Sequence, residues 1–434
     1  MAAPVTTRIP GFTLTDHRVD VPLDHADPDG PTIEVFAREV VAAGREREQL
    51  PWLLFLQGGP GGMSPRPGAG PGDGWLAHAT RTHRVLLLDQ RGTGRSTPLS
   101  RRTIGGPGLV SDAELAAYVR LMRADSIVRD AEVLRAQVAG GSRWETLGQS
   151  YGGWITMSYL SLAPEALDAC YVTGGLPGLS ARADDVYART YPRVAAKNAA
   201  HHARFPGDAV LLRRIADHLD AVDVRLPDGD RLTTRRLRML GQLLGMGDGS
   251  LRLHWLLERA WETQGGADGL SDAFLHGVAV ETAHVEGPLF LLQEYLYGQP
   301  GSGPTAWAAE RAMAEHPEFA LDRDPLLLTG EMAYRWMFTD IAALRPFLGA
   351  ADLLAAYDDW GPLYDLDRLA ANEVPVLAAV YHDDMYVDAG LSLDTASRVG
   401  SVRTWVTNEF EHDGLRVGAP AVLGRLMDMR AGRV

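Results

Sequence analysis

Ser150 lies in the run Leu147-Gly148-Gln149-Ser150-Tyr151-Gly152-Gly153, a G-x-S-x-G pattern between a strand-prone stretch and a helix-prone one. A strand-to-helix turn this tight admits only small residues two before and two after the serine. It leaves the hydroxyl exposed at the helix N-terminus, where it can act as a nucleophile. The bare pattern also fits an ordinary glycine-rich turn, so the flanking strand and helix carry the reading. Acyl transfer from a serine needs donors for an oxyanion, and Gln57-Gly58-Gly59-Pro60-Gly61-Gly62 follows another strand-like run. Successive glycines let backbone N–H groups approach a developing charge without Cβ obstruction. No lysine follows them as a phosphate-binding loop of the Walker type requires. The base and its carboxylate partner have candidates in two polar loops near the end of the chain, Tyr381–Asp388 and Thr407–Gly414. His412 is the last histidine and sits among polar neighbours; Asp383, Asp384 and Asp388 compete for the acid, and spacing does not choose among them.

These loops need a frame. Phe12–Val21, Ile33–Val40, Trp52–Leu56, Val85–Leu88, Glu145–Gly148, Ala169–Thr173, Val376–Val380 and Val402–Val406 read as strands. The short apolar runs among them, bounded by Gly and Pro, suit strands buried on both faces. Ser111-Asp112-Ala113-Glu114 is a capping box opening a helix, and Ile127, Val128, Ala131, Leu134 and Val138 recur at helical spacing. Strand, helix, strand implies parallel crossovers. From about Gly178 to Asp365 the pattern turns helical, with Arg189–Ala203, Leu211–Val222, Thr234–Leu244, Leu251–Trp261, Gly287–Tyr297 and Ala306–Glu315 as candidate helices. The expected organisation is an α/β sheet domain interrupted by a helical insertion: residues 1–177 and 366–434 form the core, and 178–365 the insertion.

Taken together, QGGPGG, DQRGTGRS at Asp89–Ser96, GQSYGG, DDMYV and NEFEHDGLR resemble the prolyl aminopeptidase (proline iminopeptidase) family of α/β-hydrolases, in particular its longer bacterial subgroup. The matches run from about residue 50 to residue 417 in fixed order. The resemblance implies an α/β-hydrolase fold with a mostly parallel central sheet and an inserted helical cap. It also implies Ser150 as nucleophile, Asp384 as acid, His412 as base, and the N–H groups of Gly59 and Tyr151 as the oxyanion hole. Gln57 stands where many relatives have histidine, a position that is not the base. The implied activity is release of N-terminal proline from peptides, with no metal and no organic cofactor.

A cap that selects a free N-terminal proline must bind a secondary ammonium group, and carboxylates among apolar residues do that. Leu292-Gln293-Glu294-Tyr295 and Thr329–Trp336, which contains Glu331, resemble cap segments of the longer subgroup. Glu294 and Glu331 are therefore the candidate amine-binding pair, although a solvated helix face or a neighbouring Arg335 would equally account for either glutamate. Tyr295, Trp336 and Phe338 could wall a pyrrolidine ring or belong to the core. Asp89 and Arg91 read as braces for their turn, Cys170 as buried filler on a strand, and His201 and His202 as a pair with no carboxylate at metal-ligand spacing.

Composition limits the rest. With 46% hydrophobic and 23% charged residues the chain is globular in character, and a net charge of −14 without a basic run argues against a nucleic-acid or anionic-lipid partner. No stretch approaches 18 uncharged apolar residues, and the first residues lack the pattern of a signal peptide. One cysteine excludes an internal disulfide and suits the cytoplasm. Oligomeric state is not legible. The rival readings are an esterase or amidase on the same triad, and a small-ligand receptor that keeps the fold without turnover.

Overall fold

The computed structural model describes residues 4–434 apart from 69–73, 105, 107–108, 265–266, 286–293 and 419. The strands are β1 (Val5–Ile9), β2 (Phe12–Pro22), β3 (Thr32–Ala42), β4 (Trp52–Leu56), β5 (Arg84–Leu88), β6 (Trp144–Gln149), β7 (Leu167–Thr173), β8 (Trp261–Gln264), β9 (Ala267–Leu270), β10 (Val376–Tyr381) and β11 (Val402–Thr407). Nine of them form one sheet in the order β1-β2-β3-β5-β4-β6-β7-β10-β11. The first three are joined antiparallel, and β3 meets β5 antiparallel. From β5 to β11 every pairing is parallel. The five-residue runs of β4 and β5 and the whole of β10 are almost entirely buried, as strands covered by helices on both faces must be. All eight strands expected from the sequence are present. β1 was not foreseen: Val-Thr-Thr-Arg-Ile is polar and exposed, an edge strand that pairs only with β2.

The box at Ser111 caps the helix Asp112–Arg120, with Ser111 Oγ accepting from Glu114 N at 3.2 Å and Glu114 accepting from Ser111 N at 2.9 Å. The helix Ala124–Val138 follows and carries the apolar periodicity. Between β7 and β10 no described residue enters the large sheet, and helices and short turns dominate.

Several of these elements depart from expectation. Ala183–Arg204 begins six residues before Arg189. Thr234–Leu244 is α-helical only to Leu237 and tightens into a 3-10 helix over Arg238–Gly245. The Arg238 carbonyl there accepts Thr329 N at 2.9 Å, and the 328–329 backbone passes so near Gly241 that a Cβ would meet the Thr329 oxygen at 2.4 Å. Tertiary contact has taken the carbonyl an α-helix would use. The helix after it ends at Glu258, and Trp261 instead enters the small antiparallel β8–β9 pair. Ala308–Met313 is shorter than Ala306–Glu315 because Ala306 and Trp307 adopt positive φ. Of Gly287–Tyr297, residues 287–293 lie outside the described residues, and Glu294–Tyr297 is a 3-10 turn. No helix among the described residues is long and apolar enough to cross a membrane.

Candidate active site

Ser150 links β6 to the helix Tyr151–Leu162 with φ 54° and ψ −120°, a conformation that costs a non-glycine residue about 1–3 kcal/mol. Its N–H donates to Thr173 on β7 (2.9 Å), and its carbonyl accepts from Gly153 (2.7 Å). The turn packs as tightly as its glycines suggest: a Cβ on Gly148 would lie 2.5 Å from the Gly152 oxygen, and one on Gly152 2.1 Å from the Leu56 oxygen of β4. The serine is only 7% exposed and lines a small cavity, rather than standing out in solvent as expected from the turn alone.

That cavity is lined by Gly59, Pro60, Ser150 and Tyr151 from the sheet side. Gly59 has φ +119°, and a Cβ on Gly58 would sit 2.8 Å from the Ser150 Cβ, so the glycine loop lies against the serine. Tyr151 opens its helix, where backbone N–H groups have no intrahelical acceptor. Glu331 lines the same cavity, together with Tyr187, Thr190, Tyr297 and Tyr386. It is a small cavity, of about 30 Å³.

His412 and Asp384 meet in the loops after β11 and β10. His412 Nδ1 is 2.7 Å from Asp384 Oδ2, and both residues are buried. Asp384 Oδ1 accepts the N–H groups of Tyr386 (2.8 Å) and Val387 (3.0 Å), so the carboxylate is fixed from both ends. A carboxylate facing Nδ1 puts the proton on that nitrogen and leaves Nε2 as an acceptor. Burial works against the charged imidazolium, but the charge and hydrogen bond of Asp384, with Glu331 and Asp413 behind them, hold the His412 pKa above its ordinary value. Gly174 and Gly175, in the turn after β7, pack respectively against His412 Nδ1 and the Ser150 carbonyl, so one turn abuts both residues. The histidine loop is tied to its surroundings by His412 N to the Gly245 carbonyl (3.2 Å), by Gly247 N to Asp413 (2.8 Å), and by Lys197 to Glu411 (2.5 Å).

The other acid candidates are engaged elsewhere. Asp383 is exposed, 2.9 Å from His382 and 3.7 Å from Arg193. Asp388 caps the helix Ala389–Arg398 by accepting Leu391 N at 3.0 Å. The two glutamates are also separated. Burial pushes the Glu331 carboxyl up to about 7, with His412 drawing it down and Asp384 pushing it further up. Glu294 does not reach the Ser150 cavity: its carboxylate accepts Ala309 N (3.0 Å) and Ala308 N (3.3 Å) at the start of the helix Ala308–Met313. Its charge is felt by Tyr187 and Tyr297 in the cavity wall.

Tyr295 stacks on Trp360 (5.6 Å) and Phe338 packs on Trp307 (5.6 Å), and neither lines the Ser150 cavity; nor does Trp336. Asp89 takes Ser64 N (3.1 Å), Arg95 N (2.9 Å) and Arg66 (2.6 Å), and Arg91 is buried against Asp130 (2.7 Å), so both brace their turn. Cys170 is fully buried, and burial pushes its thiol up to about 12. His201, which has no carboxylate at metal spacing in sequence, comes within 3.1 Å of Asp208, and His254 meets the same carboxylate at 3.0 Å.

Tyr187 lies before the expected helix start at Arg189, and Thr190 lies within the expected helix with nothing in its own type to mark it as a site residue. With its first turns restored, Val186, Tyr187, Thr190, Tyr191 and Val194 form one buried stripe, and Thr190 is its polar member. The Thr190 hydroxyl has no hydrogen-bond partner among the described residues.

A second cavity, of about 690 Å³, adjoins His412 and is lined by Phe12, Phe55, Gln57, Trp75 and Met246 among others. It shares no lining residue with the Ser150 cavity.

The sheet order, the strained serine between strand and helix, and the acid–histidine pair after the last two strands define the class: this is an α/β-hydrolase, and residues 51–230 match the family model described as alpha/beta hydrolase fold. The chain is 43% identical to the proline iminopeptidase of Aeromonas sobria over 98% of its own length and 99% of that protein's. It is 32% identical to the proline iminopeptidase aneH of Aspergillus aculeatus, over 98% of this chain and 95% of that one. The chain belongs to the proline iminopeptidase family, as the five sequence motifs led us to expect.

Proposed function

We propose that this chain is a serine aminopeptidase that releases N-terminal proline from peptides. The observation that carries the reading is the placement of Glu331 in the same small, aromatic-walled cavity as Ser150. A carboxylate there meets a protonated prolyl nitrogen, and the tyrosines around it enclose the ring. An acylated nitrogen carries no charge for the carboxylate to meet. Glu294, behind Tyr187 and Tyr297, adds negative potential to the wall rather than a direct contact.

In this mechanism His412 Nε2 takes the Ser150 proton as Oγ attacks the prolyl carbonyl. The backbone N–H groups of Gly59 and Tyr151 receive the oxyanion, and Asp384 stabilises the imidazolium. His412 then protonates the departing amine, which leaves into the wide cavity on its own side. Water, activated by the same histidine, releases proline from the acyl-enzyme. We assign residues 178–365 as the cap that closes the acyl pocket, supported by their helical content and by the cavity residues Val186, Tyr187, Thr190 and Glu331 that they supply. A lone buried thiol suits a reducing cytoplasm, where we place the enzyme.

The test compares prolyl-arylamide, N-acetylprolyl-arylamide and simple ester hydrolysis, with fluorophosphonate labelling and its loss in Ser150→Ala. Cleavage of prolyl-arylamide but not of its N-acetylated analogue, dependent on Ser150, is expected. Ester hydrolysis without prolyl-arylamide hydrolysis would overturn the peptidase assignment, and unlabelled, inactive protein would overturn the enzyme assignment.

A further inference from the structure

The segment that brings Glu331 to the Ser150 cavity contributes Thr329, Tyr334 and Trp336 to a separate cavity of about 420 Å³, which shares no lining residue with the first. Its walls combine apolar and aromatic side chains with a few charged ones. Tyr334 and Trp336 stack with ring centroids 5.9 Å apart and planes at 16°, and Phe319 faces them from another turn. The exposed residues Ala314 and Ala320 also line it, so it opens to solvent.

Two cations line this cavity, Arg235, which lies over the Trp336 ring at 4.8 Å, and Arg238, which is only 3% exposed. Its near neighbours in sequence both have carboxylates: Arg235 pairs with Asp340 at 2.7 Å and Arg236 with Asp230 at 3.1 Å. Arg238 pairs with none among the described residues. Its Nε donates to the Leu327 carbonyl at 2.7 Å, and its Nη2 has no hydrogen-bond partner among them. Burial draws its pKa down, with only the Tyr334 and Tyr191 hydroxyls opposing. A desolvated guanidinium without an anion is costly, and with Nε committed its Nη edge remains for an oxygen pair. Glu310, exposed and accepting Arg335 N at 3.3 Å, also lines the cavity and disfavours a second negative charge on a ligand. One unpaired positive charge among aromatic walls calls for one carboxylate on a flat apolar body.

We propose that this cavity is a second, non-catalytic binding site for a small aryl-alkyl monocarboxylate, held at its carboxylate by Arg238 and at its ring by Tyr334, Trp336 and Phe319. The probe is 3-phenylpropionate, titrated calorimetrically into the full chain beside its neutral analogue 3-phenylpropanamide. The acid is expected to bind once per chain and about tenfold or more tighter than the amide, the margin a charge-assisted hydrogen bond supplies. Ala314→Trp fills the mouth from an exposed position. It should weaken the acid at least about tenfold while prolyl-arylamide hydrolysis is unchanged. Arg238→Met should erase the preference for acid over amide; if that variant does not fold, Ala314→Trp still decides. Absence of binding to the wild type, equal binding of acid and amide, or binding that survives Ala314→Trp would each overturn the proposal.

Discussion

Replacing Asp384 by asparagine keeps the shape of the side chain and changes which atom faces His412. Asp384 Oδ1 accepts two backbone N–H groups, from Tyr386 at 2.8 Å and Val387 at 3.0 Å. In the amide, only the oxygen can stay there, because an NH₂ would set donors against two donors. The amide nitrogen then falls where Oδ2 was, 2.7 Å from His412 Nδ1. Nδ1 must accept, its proton moves to Nε2, and Nε2 can no longer take a proton from Ser150. The wrong tautomer is expected to lower kcat by about 10⁴, or about 5 kcal/mol of barrier. The pH profile carries a second sign. In the wild type, burial opposes the His412 charge but Asp384 outweighs it and holds the pKa above 6.5, so kcat/KM rises with pH through that raised value. Without the carboxylate, burial dominates, and the acid limb of the residual activity moves to lower pH. The assay is prolyl-arylamide hydrolysis across the acid limb, beside Asp383→Asn, whose exposed carboxylate pairs with His382 and Arg193. A loss below about tenfold in Asp384→Asn, or a larger loss in Asp383→Asn, would refute the assignment.

Glu331→Gln should raise KM for the free-amine substrate while leaving small uncharged esters unaffected; unchanged KM would remove Glu331 from the amine site. The same variant tests linkage: the folded pKa of Glu331 is raised to about 7, so its contribution to stability is complete below 4.5 and is lost as pH rises through 7. Thermal melts at pH 8 should therefore find Glu331→Gln more stable than wild type by up to about 3 kcal/mol, a difference that vanishes near pH 4.5. Burial raises the Glu294 pKa as well, and glutamine keeps an oxygen for the N–H groups of Ala308 and Ala309, so melts of Glu294→Gln should gain on wild type as pH rises, with a smaller effect on KM than Glu331→Gln. Gly152→Ala places a Cβ 2.1 Å from the Leu56 oxygen and should cost about 1–3 kcal/mol or more; an unshifted urea midpoint would show that the turn has room to spare.

The sheet and the nucleophile turn were legible because both depend on local chemistry. Strands such as Trp52–Leu56 and Val376–Tyr381 are apolar throughout because helices cover both faces, and the glycines around Ser150 answer to contacts within a few residues and with the adjacent strand. β1 was hidden by the polar sequence of an exposed edge, and the 3-10 segment Arg238–Gly245 by a carbonyl diverted to Thr329, a residue about ninety positions away. Spacing alone left Asp383, Asp384 and Asp388 equivalent. Only the folded loop gives them different partners: a histidine and two backbone amides for Asp384, a neighbouring histidine and an arginine for Asp383, and a helix start for Asp388. Glu294 and Glu331 likewise read alike in sequence, each a carboxylate among aromatic residues. Tertiary packing turned one to a helix N-terminus and the other into the Ser150 cavity, because the surroundings of a buried carboxylate are set by segments distant in the chain.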